Sequence, residues 1–328
     1  MKVFARLILA VLGLTAAVLL SASTQGGENQ QLAQANAALQ AGEADKALAL
    51  LNPLAQPGGK AEAYNLRCRV EYTLELWDRA AGDCEQAVKL DGQNSNDHMW
   101  LARALGEKAR RASFLTAYSL SKRVRIEFEE ATRLNPSNAE ALADLGEFYY
   151  SAPGVVGGGI DKAERVAARL DKIDPLRAHE LRGRIAEQRK DYGTAEREYK
   201  LTISASAHPA FQWMTLASFY RGRQRWAEME SAVRSGQNAA ERDKRASVAL
   251  YNGASVLRAT NRDPVRAAKM LEDYLAGSGK TEEAPAFVAH AWLARLKEQL
   301  GDAPAASRER AAALALAHEY APAQNMKH

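Results

Sequence analysis

One short pattern recurs along most of the chain, and it limits the possible folds more than any other feature. It reads Gly-Asp or Trp-Asp, a few residues, Ala, then seven residues on a second small or apolar residue. Copies stand at 42–51 (GEADKALALL), 77–92 (WDRAAGDCEQAVKLDG), 160–175 (IDKAERVAARLDKIDP) and 191–203 (DYGTAEREYKLTI). Others stand at 225–236 (RWAEMESAVRSG), 262–275 (RDPVRAAKMLEDYL) and 301–314 (GDAPAASRERAAAL). Each copy follows a segment with an apolar or aromatic stripe at helical spacing, clearest in AEALADLGEFYY at 139–150 and AFQWMTLASFY at 210–220. A unit of this kind cannot bury its own apolar face, so its copies must stack on one another. No stretch alternates with period two for long enough to suggest a sheet. Pro136 and Pro175 fall where the second helix of a unit has to stop.

These spacings resemble the tetratricopeptide repeat, a helix-turn-helix unit of about 34 residues. The resemblance covers about 28–320. Leu145, Gly146 and Tyr149 match the first helix of the family pattern, and Ala163 and Pro175 match the second helix of the same repeat. Phe128, Ala131 and Pro136 match in the preceding repeat, Trp213 and Tyr220 in the sixth, and Ala80 and Ala87 in the second. The resemblance implies an all-α, right-handed superhelical solenoid of about eight stacked hairpins over residues 24–321, with 322–328 as a tail. Small residues such as Ala47, Ala80, Gly146, Ala163 and Ala195 would let helices approach. Bulky ones such as Leu51, Phe128, Tyr199 and Trp213 would fill the space between hairpins.

Two successive repeats carry insertions between their helices. Equivalent positions Ala102 and Val124 are 22 apart where the family has about 12, which places a loop at 106–119. Gly146 and Ala163 are 17 apart, which places a second loop at 151–160 around APGVVGGG. That segment is similar to one in a subset of bacterial tetratricopeptide proteins. Insertions in solenoids map to one face and often add a binding surface.

Residues 1–23 read as an export signal. Lys2 and Arg6 precede an uncharged run from Leu7 to Leu20, and Ser21-Ala22-Ser23 offers a small-residue cleavage site. The run is short for a membrane span, which needs about 20 apolar residues. The expectation is an exported chain, periplasmic or in the cell envelope, with no integral membrane segment once the signal is removed.

Composition excludes other classes. Lys plus Arg is 44 against 40 Asp plus Glu, too balanced for a nucleic-acid partner. The six histidines show no metal-binding spacing, and no nucleophile elbow or kinase signature is present. The glycines at 154 and 157–159 lack both the preceding strand and the Gly-Lys-Ser/Thr of a phosphate loop, so they read as a tight turn. The chain is therefore expected to be neither an enzyme nor a cofactor protein. Cys68 and Cys84 are an even pair in an oxidising compartment, but the repeat register sets Cys68 opposite Ala80, with Cys84 a turn further along. That register disfavours a disulfide. Among the basic clusters, Lys108, Arg110 and Arg111 fall in the first insertion and are the ones to test against anionic partners.

In the family the concave wall comes from fixed positions of the first helix. Carried onto this chain, they give Asn65, Arg69 and Tyr72, then Met99 and Arg103, then Glu147 and Tyr150. Arg184, Phe211, Met214 and Arg221 continue the series. The expected role is a protein-interaction scaffold that takes a peptide or partner helix in this groove. An envelope enzyme or polysaccharide-binding factor using the glycine-rich loop face near Gly157 is the alternative. The family's carboxylate clamp is not expected, because Trp100 and Glu140 interrupt it.

Overall fold

The computed structural model describes residues 26–243 and 246–326. The segment read as an export signal, 1–23, lies outside them. Among the described residues all regular structure is helical, and sixteen helices pair into eight antiparallel hairpins. They are α1 (26–41) with α2 (Ala44–Leu51), α3 (Ala61–Thr73) with α4 (Trp77–Leu90), and α5 (Ser95–Arg111) with α6 (Phe114–Leu134). Next come α7 (Ala139–Ser151) with α8 (Ile160–Leu170), α9 (Pro175–Gln188) with α10 (Tyr192–Ala205), and α11 (Ala210–Gly222) with α12 (Trp226–Arg242). The last two are α13 (Ser247–Ala259) with α14 (Pro264–Ala276) and α15 (Ala286–Gln299) with α16 (Ala303–Leu316). A short α17 (Ala321–Gln324) ends the array. The segment expected to be a tail, 322–328, is thus helical as far as Gln324, and Ala323 is buried.

Local chemistry explains the boundaries. The side chains of Asn94, Asn138, Asp174, Asp191, Asp263 and Asp302 each accept a backbone N–H from the first turn of the following helix. Six hairpins turn through a left-handed residue, Gly42, Glu75, Lys190, Gln224, Asn261 or Gly301, and in α13/α14 Asp263 is left-handed as well. In each the next N–H reaches back five residues to a carbonyl, as from Leu76 to Glu71 and from Asp191 to Ala186, which closes the first helix. The two hairpins without this turn are α5/α6 and α7/α8, which carry the insertions.

Small residues set the helix approaches. A Cβ on Gly146 would lie 2.4 Å from a methyl of Leu181, and one on Gly183 would lie 2.6 Å from the Tyr199 ring. Ala47, Ala80, Ala163 and Ala195 are fully buried. Tyr199, Phe219, Tyr274 and Phe287 are the largest side chains sealed between hairpins.

The structure corrects two expectations. The 106–119 segment is not a loop: α5 runs to Arg111, only Ala112 and Ser113 break the helix, and α6 resumes at Phe114. The extra residues lengthen both helices, because Lys108–Arg111 and Phe114–Leu120 contain no glycine or proline to stop them. Cys68 and Cys84 do form a disulfide, with Cα atoms 5.4 Å apart. A side chain at a helix crossing sits in the groove between two residues one turn apart on its neighbour. Cys68 therefore faces the 84 position as well as that of Ala80, and both cysteines stand eight residues from Leu76 in the turn.

The second insertion is compact. A 3₁₀ turn at Gly154–Val156 buries Val156, and Gly157 closes it with φ +98°. The turn rests on α6, where the Arg125 side chain fills the space a Gly157 Cβ would need. The second insertion therefore packs against the helix that the first one lengthens, at Arg125, outside 106–119 itself.

Eight hairpins bring the ends of the array together. A Cβ on Gly42, between α1 and α2, would lie 2.3 Å from the backbone nitrogen of Ala286 at the start of α15. Glu282, in the loop before α15, accepts two hydrogen bonds from Arg69 of α3 and one from Gln40 of α1. Arg79 joins Glu71 to Glu319, and His318 pairs with Asp45. Leu32, Leu39, Val70 and Leu74 belong to the same hydrophobic cluster as Tyr251, Phe287 and Tyr320, so both ends share one core.

Candidate functional site

Two neighbouring cavities open along the wall made by α3, α5 and α7. The first, of about 490 Å³, is lined by Asn65, Arg69, Asp97, Met99, Trp100, Glu140 and Glu282 among others. The second, of about 390 Å³, lies between α5, α6 and the end of α7, with Tyr72, Arg103, Val124, Phe128, Glu147 and Phe148 in its lining. Six of the eleven groove residues expected from sequence thus gather here: Asn65, Arg69 and Met99 at the first cavity, Tyr72, Arg103 and Glu147 at the second.

Trp100 organises the wall. Its ring carries the Arg103 guanidinium at 4.6 Å and that of Arg69 at 5.4 Å, and Tyr72 meets it edge-on at 5.5 Å. Arg103 donates to Asp144 at 2.6 Å and to Glu140 at 2.7 Å. Burial pushes the Asp144 carboxyl up, while Arg103 pulls it back. Burial raises the Tyr72 phenol to about 12, so it remains a neutral donor. Glu283, next to the Arg69 partner Glu282, is raised by burial and by nearby Glu140, against the pull of Arg103 and Arg177. The loop before α15 therefore reaches into the wall from the opposite end of the chain.

Two polar atoms at the first cavity stand out. Asn65 Nδ2 and Asp97 Oδ2 are both buried, and neither has a hydrogen-bond partner among the described residues. Burial, with Asp91 adding to it, pushes the Asp97 carboxyl up to about 7. A buried donor and a buried acceptor on residues that line one cavity leave two hydrogen bonds unmet among the described residues.

The remaining groove residues lie elsewhere. Tyr150 and Arg184 are neighbours, since the Tyr150 phenol is raised to about 12 by burial and feels the Arg184 charge. Arg184 itself lies over Tyr199 and 3.6 Å from Glu187. Phe211 is half-buried and packs against the core, and Arg221 is half-buried further along α11. Met214 is only 2% exposed and packs beneath Gly236 and Gly253, so it serves the core. The glycine-rich turn offers no anion cradle: the N–H groups of Gly157, Gly158 and Gly159 donate to Gly154, Pro153 and Tyr149.

Sequence reasoning missed Asp97, Trp100 and Glu282. In the sequence Trp100 and Glu140 stand out only as interruptions of a clamp. The polar Asp97 in the buried first turn of α5 was the available signal. Glu282 had none, since its place depends on the ends meeting.

No family model matches the chain, and no curated protein matches it. Solved structures do. A thermophilic TPR protein of Thermus thermophilus aligns with 18% identity and a TM-score of 0.50, covering 58% of this chain and 98% of that one. Yeast Tom70 aligns with 14% identity and a TM-score of 0.53, covering 85% of this chain and 58% of Tom70. At these identities the likeness is one of architecture, and the fold of this chain is that of a tetratricopeptide-repeat solenoid.

Proposed function

We propose that this protein is an exported, non-catalytic interaction scaffold that holds an extended peptide along the α3–α5–α7 wall. The observation that carries the reading is the pair of unpartnered atoms, Asn65 Nδ2 and Asp97 Oδ2, on one cavity. A peptide backbone supplies the complementary carbonyl and N–H, and an extended segment leaves both free. The second cavity, with Phe128, Val124 and Phe148 in its lining, suits an apolar anchor side chain of the same segment. Export is supported by the signal pattern of residues 1–23, and the Cys68–Cys84 disulfide fits an oxidising compartment.

The test is selection from a display library of random peptides on the exported chain, followed by affinity measurement. Asn65→Leu keeps the volume but removes the donor, and Phe148→Ser opens the anchor cavity. The reading expects each to weaken the selected peptides by about tenfold or more. Peptides that bind both variants as tightly as the wild type refute it.

A further inference from the structure

The most exposed large apolar side chains among the described residues are Phe114 at 84%, Leu115 at 78% and Val155 at 70%. All three belong to the two insertions. Phe114 and Leu115 open α6 at the apex of the α5/α6 hairpin. Its helices have 17 and 21 residues, against 13 and 14 in the hairpin before and 13 and 11 in the one after. Arg125 marks where α6 touches the Gly157 turn, and Phe114 stands eleven residues before it. At 1.5 Å per residue the apex projects roughly 16 Å beyond that contact. A hydrophobic pair at such a position is out of reach of the core of its own chain.

The segment that forms the apex carries charge of one sign. Residues 108–126 hold Lys108, Arg110, Arg111, Lys122, Arg123 and Arg125 and no carboxylate. Partners come from outside the segment: Glu107 takes both Arg110 and Arg111, Asp78 takes Lys108, Glu85 takes Arg123 and Glu129 takes Arg125. Two arginines on one carboxylate leave a net positive charge at the end of α5. Along α6 the order is graded. Phe114, Tyr118 and Lys122 follow at intervals of four on one face, and Lys122 Nζ lies 4.8 Å from the Tyr118 ring centroid. An apolar ring outermost, a phenol behind it and a cation behind that is the depth profile of a bilayer interface, from acyl chain to headgroup.

We propose that the α5/α6 apex docks on an anionic lipid bilayer. Phe114 and Leu115 enter the interface, and Arg110, Arg111 and Lys122 meet lipid phosphates. Neither term alone holds a protein firmly at a membrane, but a small apolar insertion and a basic patch add. Arg110 also lines the second cavity of the wall, whereas Phe114, Leu115, Arg111 and Lys122 line neither cavity, so the serine pair tests the apex apart from peptide binding.

The exported chain is mixed with vesicles of phosphatidylcholine alone, or with three parts in ten phosphatidylglycerol, and partitioning is measured by flotation. Binding is expected only to the anionic vesicles and should fall with salt. The pair Phe114→Ser, Leu115→Ser should weaken it at least about 30-fold. Neutralising Arg110, Arg111 and Lys122 to Gln should weaken it roughly 100-fold. All five side chains are exposed, so the serine pair should melt with the wild type; the Gln set also removes both partners of Glu107 and the Arg111–Trp77 contact, so its melt should fall slightly. Because residues 1–23 are themselves apolar, a second readout sits at the apex. Phe114→Trp should gain emission that brominated lipids quench, relative to the wild type. Lack of binding to anionic vesicles overturns the proposal. So does binding without quenching at position 114, or binding that both variant sets leave unchanged. Self-association abolished by the serine pair would make the apex a protein interface and overturn it as well.

Discussion

Reducing the Cys68–Cys84 disulfide should loosen one hairpin and leave the rest of the array intact. The bond spans 16 residues. Closing a loop of that length removes about 10 cal/mol/K of chain entropy from the unfolded segment, or about 3 kcal/mol at 25 °C. The bond ties α3 to α4 within a single hairpin, so the stabilisation is local. Unfolding of a repeat array need not be all-or-none, and a single melting midpoint would hide the effect. The suitable assay is amide hydrogen exchange read by mass spectrometry, with and without a thiol-free reductant. Peptides from 61–90 should lose protection by roughly 150-fold, the factor that corresponds to about 3 kcal/mol. Peptides from α9 to α12 should change little. Cys68→Ala, Cys84→Ala should reproduce the pattern. Asn65, Arg69 and Tyr72 stand on α3 beside Cys68, so reduction should also weaken peptide binding at the wall. Equal exchange in α3 and α4 before and after reduction would refute this reasoning. A loss spread evenly over the chain would also refute it, because the ends would then couple the hairpins more strongly than the bond stabilises one of them.

Four further substitutions have outcomes set by their surroundings. Asp97 has its carboxyl raised to about 7 by burial, so the stability linked to its protonated form is full below about pH 4 and lost as pH rises past 7. Asp97→Asn should remove that decline, giving similar melts at pH 5 and pH 8 where the wild type is a few kcal/mol weaker at pH 8. Gly183→Ala should destabilise by about 1–3 kcal/mol, since the new methyl would meet the Tyr199 ring at 2.6 Å. Gly106→Ala, with nothing within 4 Å, should be neutral or stabilising by up to about 1 kcal/mol in denaturant titrations. Glu282→Ala leaves Arg69 half-buried without its two bonds and should cost about 2–4 kcal/mol. It should also raise the radius of gyration in X-ray scattering as the ends part.

The helices and their pairing were legible in the sequence because each hairpin must present small residues where its helices cross. Ala47, Ala80, Ala163 and Ala195 recur at the equivalent position of their hairpins for that reason, and all four are fully buried. The wall was legible in part, because Asn65, Arg69, Tyr72, Met99, Arg103 and Glu147 occupy register positions that the fold turns to one side. Three things were not legible, each for a physical reason. The left-handed turn residues Glu75, Lys190, Gln224 and Asn261 are not glycines, so no residue type marks them. The disulfide depended on how a side chain seats between two turns of its neighbour, which a one-to-one register does not describe. The meeting of the ends depends on a small rotation per hairpin summed eight times. Arg69 and Glu282 are 213 residues apart, and no local pattern relates them.

That meeting also decides what kind of recognition each surface performs. Along the wall the charges are already answered within the chain: Arg69 by Glu282, and Arg103 by Glu140 and Asp144. A strongly charged partner would have to break half-buried ion pairs, which costs more than an exposed pair returns. What the wall leaves unanswered is Asn65 Nδ2 and Asp97 Oδ2, a donor and an acceptor that any extended backbone satisfies. The wall therefore selects for backbone geometry and an apolar anchor rather than for charge. At the α5/α6 apex the balance is reversed. Six cations lie within a segment, 108–126, that holds no carboxylate; carboxylates from outside it pair with five of them, mostly at exposed positions, and the largest exposed apolar side chains stand among them. Charge selects there, and it acts over a distance of about 8–10 Å at moderate salt, which suits an extended anionic surface. The same array thus separates two kinds of contact by balancing its charges on the wall between its joined ends and leaving an excess of cations at the tip of its longest hairpin.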